Sequence, residues 1–321
     1  MIILIILIII VCLLLLKKYK EHFNNNTIEF VEKDSVCKML KKNKYTYNKL
    51  DISIRGIPKQ YHNKIYKYYC NNVIEFNNLE KKLIKWVVDG MMEKIPKHLQ
   101  FLIKNLKFAK YQDNIENGFP HTNSDIMFFT GSFISPLVKL YNENDLDGAI
   151  SQIGFVIIHE AVHVWQRKEP KIFLDLYNNY WNFANVSKIY NVEYLDKLKR
   201  YNPDGVDTNW IFKIKGKYIY ILSIYSNNAN NIGDVKFIGI YVEKNGDKYI
   251  IPTNSKQYVL SNVKEFNDFF NGIYGNHYHP NELSAEIISV YYLDIMNLDG
   301  IEYDNIGYNN MLSWLEKYLK N

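Results

Sequence analysis

Ile157-Ile158-His159-Glu160-Ala161-Val162-His163-Val164-Trp165 is the stretch that decides how this 321-residue chain is read. Histidines four apart on a helix project from one face, about a turn apart, so both imidazoles can bind one metal ion. Glu160, one residue round the turn, is placed to take a proton from a metal-activated water. The apolar neighbours weigh against coincidence, because a core helix rarely accepts two His and a Glu without a compensating partner. The spacing predicts a zinc site with His159 and His163 as ligands and Glu160 as general base.

The flanks complete a helix. Asn144-Asp145-Leu146-Asp147 offers capping side chains, no proline falls between Ala149 and Arg167, and Lys168-Glu169-Pro170 marks the stop. Ile153, Val156, Ile157, Val164 and Trp165 are expected to seat it in the core.

A catalytic zinc commonly has three protein ligands and one open position. The best source of a third is far downstream, in His279-Pro280-Asn281-Glu282-Leu283-Ser284-Ala285-Glu286. Pro280 suits the first turn of a helix continuing through Ile287, Ile288, Val290, Tyr291 and Leu293, and Glu282 and Glu286 share one face. With these two motifs the chain resembles the gluzincin metallopeptidases, the thermolysin-like branch of the zincins. That resemblance implies an α+β zincin-like domain that hydrolyses peptide bonds. It also implies that Glu282 is the third ligand and that Glu286 hydrogen-bonds His159 from behind the metal. The branch more usually has Asp where Glu286 stands. About 118 residues separate His163 from Glu282, longer than in compact members, which calls for an inserted subdomain. His-Pro-Asn-Glu, Ile-His-Glu and Trp-Gln-Arg also look like uncharacterised metallopeptidases of large DNA viruses, a likeness that brings no substrate.

Other third ligands stay open. Glu169 has the spacing of the metzincin branch, but that branch needs a glycine to turn the chain after the second His, and Gln166 stands there. Glu286 or a nearby His is a further alternative, and Glu282 could simply serve the helix dipole. A donor for the developing oxyanion is sought in His277 and Tyr278, which lie just before the second helix. His121 precedes an expected strand, Ile126 to Thr130, of the kind that lines the cleft in zincins, although it also reads as a plain loop residue.

The amino terminus carries the second signal. Met1 to Leu16 is wholly apolar and is followed by Lys17, Lys18, Tyr19 and Lys20. Sixteen helical residues span about 24 Å, short of a ~30 Å hydrocarbon core, a gap that snorkelling lysines narrow. The charge lies on the wrong side for a cleaved signal, and no small-residue cleavage site follows. A retained single-pass anchor over 1–20 is expected, with the positive-inside rule placing the rest on the cytosolic side. Residues 21–50, rich in Asn and Lys, read as a tether. Cys37 and Cys70 offer neither zinc-knuckle spacing nor a disulfide framework, which fits a reducing compartment. Three of the charges behind the net +5 flank the apolar run, so the remainder is close to neutral and does not point to nucleic acid.

Residues 51–321 are long enough for a sizeable core. Leu79, Leu83, Trp86, Val87 and Met91 form a helical stripe between Asn77 and Ile95, and Ile172 to Phe183 reads as an aromatic-rich helix. β-rich runs then follow at Trp210–Ile214, Tyr218–Ser223, Val235–Glu243 and Lys248–Pro252. Lys215-Gly216-Lys217 and Asn245-Gly246-Asp247 mark hairpins between them. This predicts an antiparallel meander, about 206–255, inserted between the second and third ligands. Helices return at Lys264–Phe270, Pro280–Met296 and Asn310–Leu319. No repeat or phosphate-binding glycine loop is present. The expected function is a membrane-anchored peptidase using one Zn2+ per chain on peptide or protein substrates. The alternative is an inactive zinc-binding scaffold of the same fold.

Overall fold

Apolar runs of period two become the strands of two sheets, and the long 3.6-period stripes become the helices that pack between them. A computed structural model describes residues 28–202, 209–273, 278–298 and 304–319. The architecture is α+β.

The first sheet comprises β1 (Glu29–Phe30), β2 (Val73–Ile74), β3 (Lys107–Tyr111), β4 (His121–Asn123) and β5 (Ile126–Thr130). Its order is β1-β3-β5-β4, with β2 also on β3; β1, β3 and β5 run parallel and β4 is antiparallel to β5. Alternation along β5 divides the interior. Met127 and Phe129 face the main core, while Ile126 and Phe128 face a second cluster with Val36, Leu40, Tyr69 and Tyr111. Helix Asn78–Lys94 packs on the main-core side and starts at a capping box in which Asn77 and Glu80 satisfy each other's backbone N–H. Leu83, Val87 and Met91 are buried as the stripe predicts, but Leu79 in its first turn remains exposed.

The motif helix, Phe155–Lys168, lies under this sheet. Asp145 caps the short helix Leu146–Ala149, and a π turn over Ile150–Gly154 joins the two. A Cβ at Gly154 would meet Ile150 Cγ2 of the same turn at 2.8 Å and Met91 Sδ of helix Asn78–Lys94 at 3.2 Å, so the glycine lets the turn close without displacing Ile150. Glu169 leaves helical backbone and Pro170 opens the next helix, Pro170–Asp175. A π turn carries that helix on to Tyr180, and Phe183 already belongs to a strand, earlier than the aromatic run suggested.

The second sheet is the expected meander, enlarged. It contains β6 (Phe183–Val186), β7 (Ile189–Tyr190), β8 (Asn209–Ile214), β9 (Lys217–Tyr225), β10 (Val235–Asn245), β11 (Lys248–Ile250) and β12 (Tyr258–Val259). The order is β6-β8-β9-β10-β11-β7, with β12 also on β10. Consecutive strands from β8 to β11 are antiparallel. Lys215 and Gly216 both have positive φ, at 50° and 75°, as a tight hairpin with matching twist requires. The sheet therefore begins before residue 206 and ends after 255, because short flanking strands add to its edges. Helices Lys264–Phe270, Pro280–Ile295 and Ile306–Leu319 close the main core with Trp181, Phe212, Phe270 and Trp314.

Two readings of the amino-terminal third are corrected. Residues 21–50 are not a loose tether throughout: from Glu29 they form β1, helix Lys33–Leu40 and the start of helix Lys49–Ile54, with Val36 and Leu40 buried. Asn- and Lys-rich composition masks a short amphipathic face. Cys37 and Cys70 are joined in a disulfide with Cα atoms 5.1 Å apart. Helices Lys33–Leu40 and Ile65–Asn71 carry them to one place, a proximity that spacing along the chain does not reveal. The loop it closes corresponds to about 3–4 kcal/mol of chain-entropy stabilisation. The expected anchor, 1–20, lies outside the described residues; among those described, no helix is long and apolar enough to cross a membrane.

Candidate metal centre

His159 and His163 leave one face of the motif helix, and Glu282 meets them from the first turn of helix Pro280–Ile295. That second helix starts where it does because Pro280 occupies its first turn and the His279 side chain accepts from Asn281 N. His159 Nε2 and His163 Nε2 lie 3.2 Å apart, and the two Glu282 oxygens lie 3.5 Å from them, one each. A tetrahedral ion with ligands at about 2.0–2.1 Å has ligand–ligand edges of about 3.3 Å. The donor set thus fits a metal ion, and two imidazole nitrogens turned toward one carboxylate suit a borderline-soft divalent cation. His159 keeps 12% of its side chain exposed while His163 and Glu282 keep 1% and 5%, so the cluster opens to solvent on the His159 side.

The groups behind the ligands are specific. Gln166 Nε2 donates to Asn281 O at 2.8 Å and Ser284 Oγ at 2.9 Å, which turns its Oε1 toward His163 Nδ1 at 2.9 Å. His163 Nδ1–H therefore donates to Gln166 and leaves the Nε2 lone pair for a metal. Gln166 also bolts the two ligand-bearing helices together. Glu286 Oε2 lies 3.8 Å from His159 Nδ1, an atom that is buried and makes no hydrogen bond among the described residues. This is the side chain the resemblance placed there, slightly beyond hydrogen-bonding distance. Burial, and then the neighbouring Glu282 carboxylate, push the Glu286 carboxyl up to about 7. Burial acts to raise Glu282 too, but the His163 and His159 imidazoles outweigh it and hold that carboxyl well below its ordinary value. Glu160, buried on the same helix, sits beside the cluster in sequence without belonging to it.

Other expected residues separate. Glu169 is exposed at the end of the motif helix and takes no part in the cluster, since the helix runs through Gln166 without the turn a metzincin needs. His121 stacks on Tyr111 and Phe128 in the second hydrophobic cluster, on the sheet face turned away from the motif helix. It is Thr122, one residue on, that meets the motif helix through Arg167. His277 lies outside the described residues. Tyr278 is buried, its ring stacked on Phe237 with centroids 5.0 Å apart. Its hydroxyl accepts from Arg200 Nη2 and Asn202 Nδ2, each at 3.3 Å.

Two residues of this site had no sequence signal. Asn202, in a stretch that reads as an ordinary turn, donates to Glu282 Oε1 at 2.5 Å. Arg200, which looks like one more surface cation, packs over the Tyr278 ring. Both are positioned by contacts distant in sequence: Asn48 holds the Asp196 and Lys199 carbonyls, and Asp51 and Arg55 hold the Tyr201 backbone.

Searches of protein-family models, curated proteins and solved structures give no match. The gluzincin resemblance therefore stands on its two motifs.

Proposed function

We propose that this protein is a zincin-like, zinc-dependent peptidase of the gluzincin type. The observation that carries the reading is the convergence of His159, His163 and Glu282 from two helices far apart in sequence, with Glu160 next to His159 along the first of them. Bound there, zinc would supply Lewis acidity, polarising the scissile carbonyl and making water a stronger nucleophile. Glu160 takes the proton from the attacking water and delivers it to the departing amine. Gln166 orients the His163 imidazole, Glu286 stands behind His159 within reach of its Nδ1, and Asn202 fixes one Glu282 oxygen. Tyr278 lies next to Asn202 and is the described candidate for stabilising developing negative charge. A mixture of unstructured peptides should be hydrolysed by the zinc-loaded chain, cease to be hydrolysed with chelator, and recover with zinc. Cleavage that chelator leaves untouched rules the reading out.

The apolar run from Met1 to Leu16, with the lysines after it, supports a single-pass anchor over 1–20. On the side of the membrane two features pull apart, since the lysines after the run favour the cytosol while the Cys37–Cys70 disulfide favours an oxidising compartment. The disulfide is built into the folded domain, so we assign that domain to the oxidising side. Blocking free thiols in intact membranes before denaturation should leave Cys37 and Cys70 unlabelled until a reductant is added. Labelling of both without reductant would return the domain to the cytosolic side.

A further inference from the structure

Arg200 is a cation set into the wall of the metal centre without an anion of its own. Its side chain makes no ion pair among the described residues, and Nε is buried without a hydrogen-bond acceptor. What it does touch is neutral: Nη2 donates to the Tyr278 hydroxyl at 3.3 Å, and the guanidinium lies 5.6 Å from the Tyr278 ring centroid. That hydroxyl also accepts from Asn202, which in turn holds the metal-ligand candidate Glu282, so only Tyr278 and Asn202 stand between Arg200 and Glu282. The nearest fixed charges do not neutralise it. Glu282 attracts it but is committed to the histidines, and Arg55 repels it.

The backbone beneath Arg200 is held unusually firmly for a loop. Arg200 N donates to Ser223 O on β9, Asn48 Nδ2 donates to Lys199 O, and Arg55 binds Tyr201 O while pairing with the buried Asp51 and Glu116. A rigid mount for a half-buried guanidinium whose buried Nε has no acceptor is costly unless an acceptor arrives to complete it. The guanidinium fork matches a carboxylate with two parallel hydrogen bonds.

We propose that Arg200 is a substrate-recognition residue that binds a carboxylate on the peptide, within a residue or two of the bond that is cut. The substrate class rests on the peptidase reading, and the placement follows from the short path of three hydrogen bonds between Arg200 and Glu282, set against an advance of roughly 3.3–3.6 Å per residue of an extended chain. Two sources offer this group, the free carboxyl terminus and an acidic side chain. A terminal carboxylate would make the enzyme trim peptides from the carboxyl end, whereas an acidic side chain would make it cut at internal acidic positions.

The test is equilibrium binding to the full chain, kept free of zinc so that nothing is cleaved, of three N-acetylated peptides: a free acid, its C-terminal amide, and that amide carrying a glutamate. The free acid or the glutamate amide should bind at least about 10-fold more tightly than the plain amide, as a charge-assisted pair requires. Whichever of the two does so identifies the source. Arg200→Gln should erase the preference and Arg200→Lys should keep part of it. Equal binding of all three peptides to the wild type, or a preference that survives in Arg200→Gln, overturns the proposal. The wild-type comparison needs no variant to fold. Because binding is read without turnover, a chain that selects carboxylates but cleaves nothing would contradict the peptidase reading alone.

Discussion

Glu160→Gln should retain its metal and lose at least ~10²-fold in turnover, the scale of a lost general base. The substitution is nearly isosteric, so the packing of this buried side chain is kept. What is lost is the ability to accept a proton. Metal content and peptide hydrolysis should therefore separate cleanly in this variant. Loss of metal together with activity would show that Glu160 is a ligand. Full activity would show that the proton goes elsewhere. A wild type that binds metal stoichiometrically yet cleaves no peptide would favour the inactive scaffold.

Removing Glu282 should act in the opposite way. In Glu282→Ala only the two imidazoles remain, and they lie 3.2 Å apart with no carboxylate to complete the set. Stoichiometric metal should be lost, and activity with it. Asn202 loses its acceptor as well, so the segment carrying Arg200 should loosen at the same time. Glu286→Ala removes only the group behind His159, and metal binding should weaken by ~10–100-fold. Glu169→Ala should change nothing, because that side chain is exposed at the helix end. Dialysis against a metal buffer, followed by metal analysis of the three variants, orders them. Metal kept by Glu282→Ala and lost by Glu169→Ala would reverse the ligand assignment.

Much of this was legible in the sequence because it depends on local rules. The four-residue spacing of His159 and His163 fixes a shared face, Pro170 and Pro280 fix where helices begin, and Lys215-Gly216 fixes a hairpin. The pairing of Glu282 with the histidines came from the resemblance of its motif, and the fold brings the three together. What could not be read is what depends on distant chain segments meeting. Cys37 and Cys70 approach only because two short helices dock on the first sheet. Asn202 and Arg200 look like turn and surface residues until Asn48, Asp51 and Arg55 clamp their backbone against the site. His121 failed as a cleft residue for a simpler reason: a strand turns alternate side chains to opposite faces, and register puts Thr122 on the motif-helix side.

The central claim is that His159, His163 and Glu282 hold one metal ion. Its most direct test is the zinc content of the purified wild-type chain after loading and exhaustive dialysis. The account predicts one zinc per chain, with a melting temperature that falls when chelator removes it. A chain that retains no zinc and melts at the same temperature with and without chelator would contradict it.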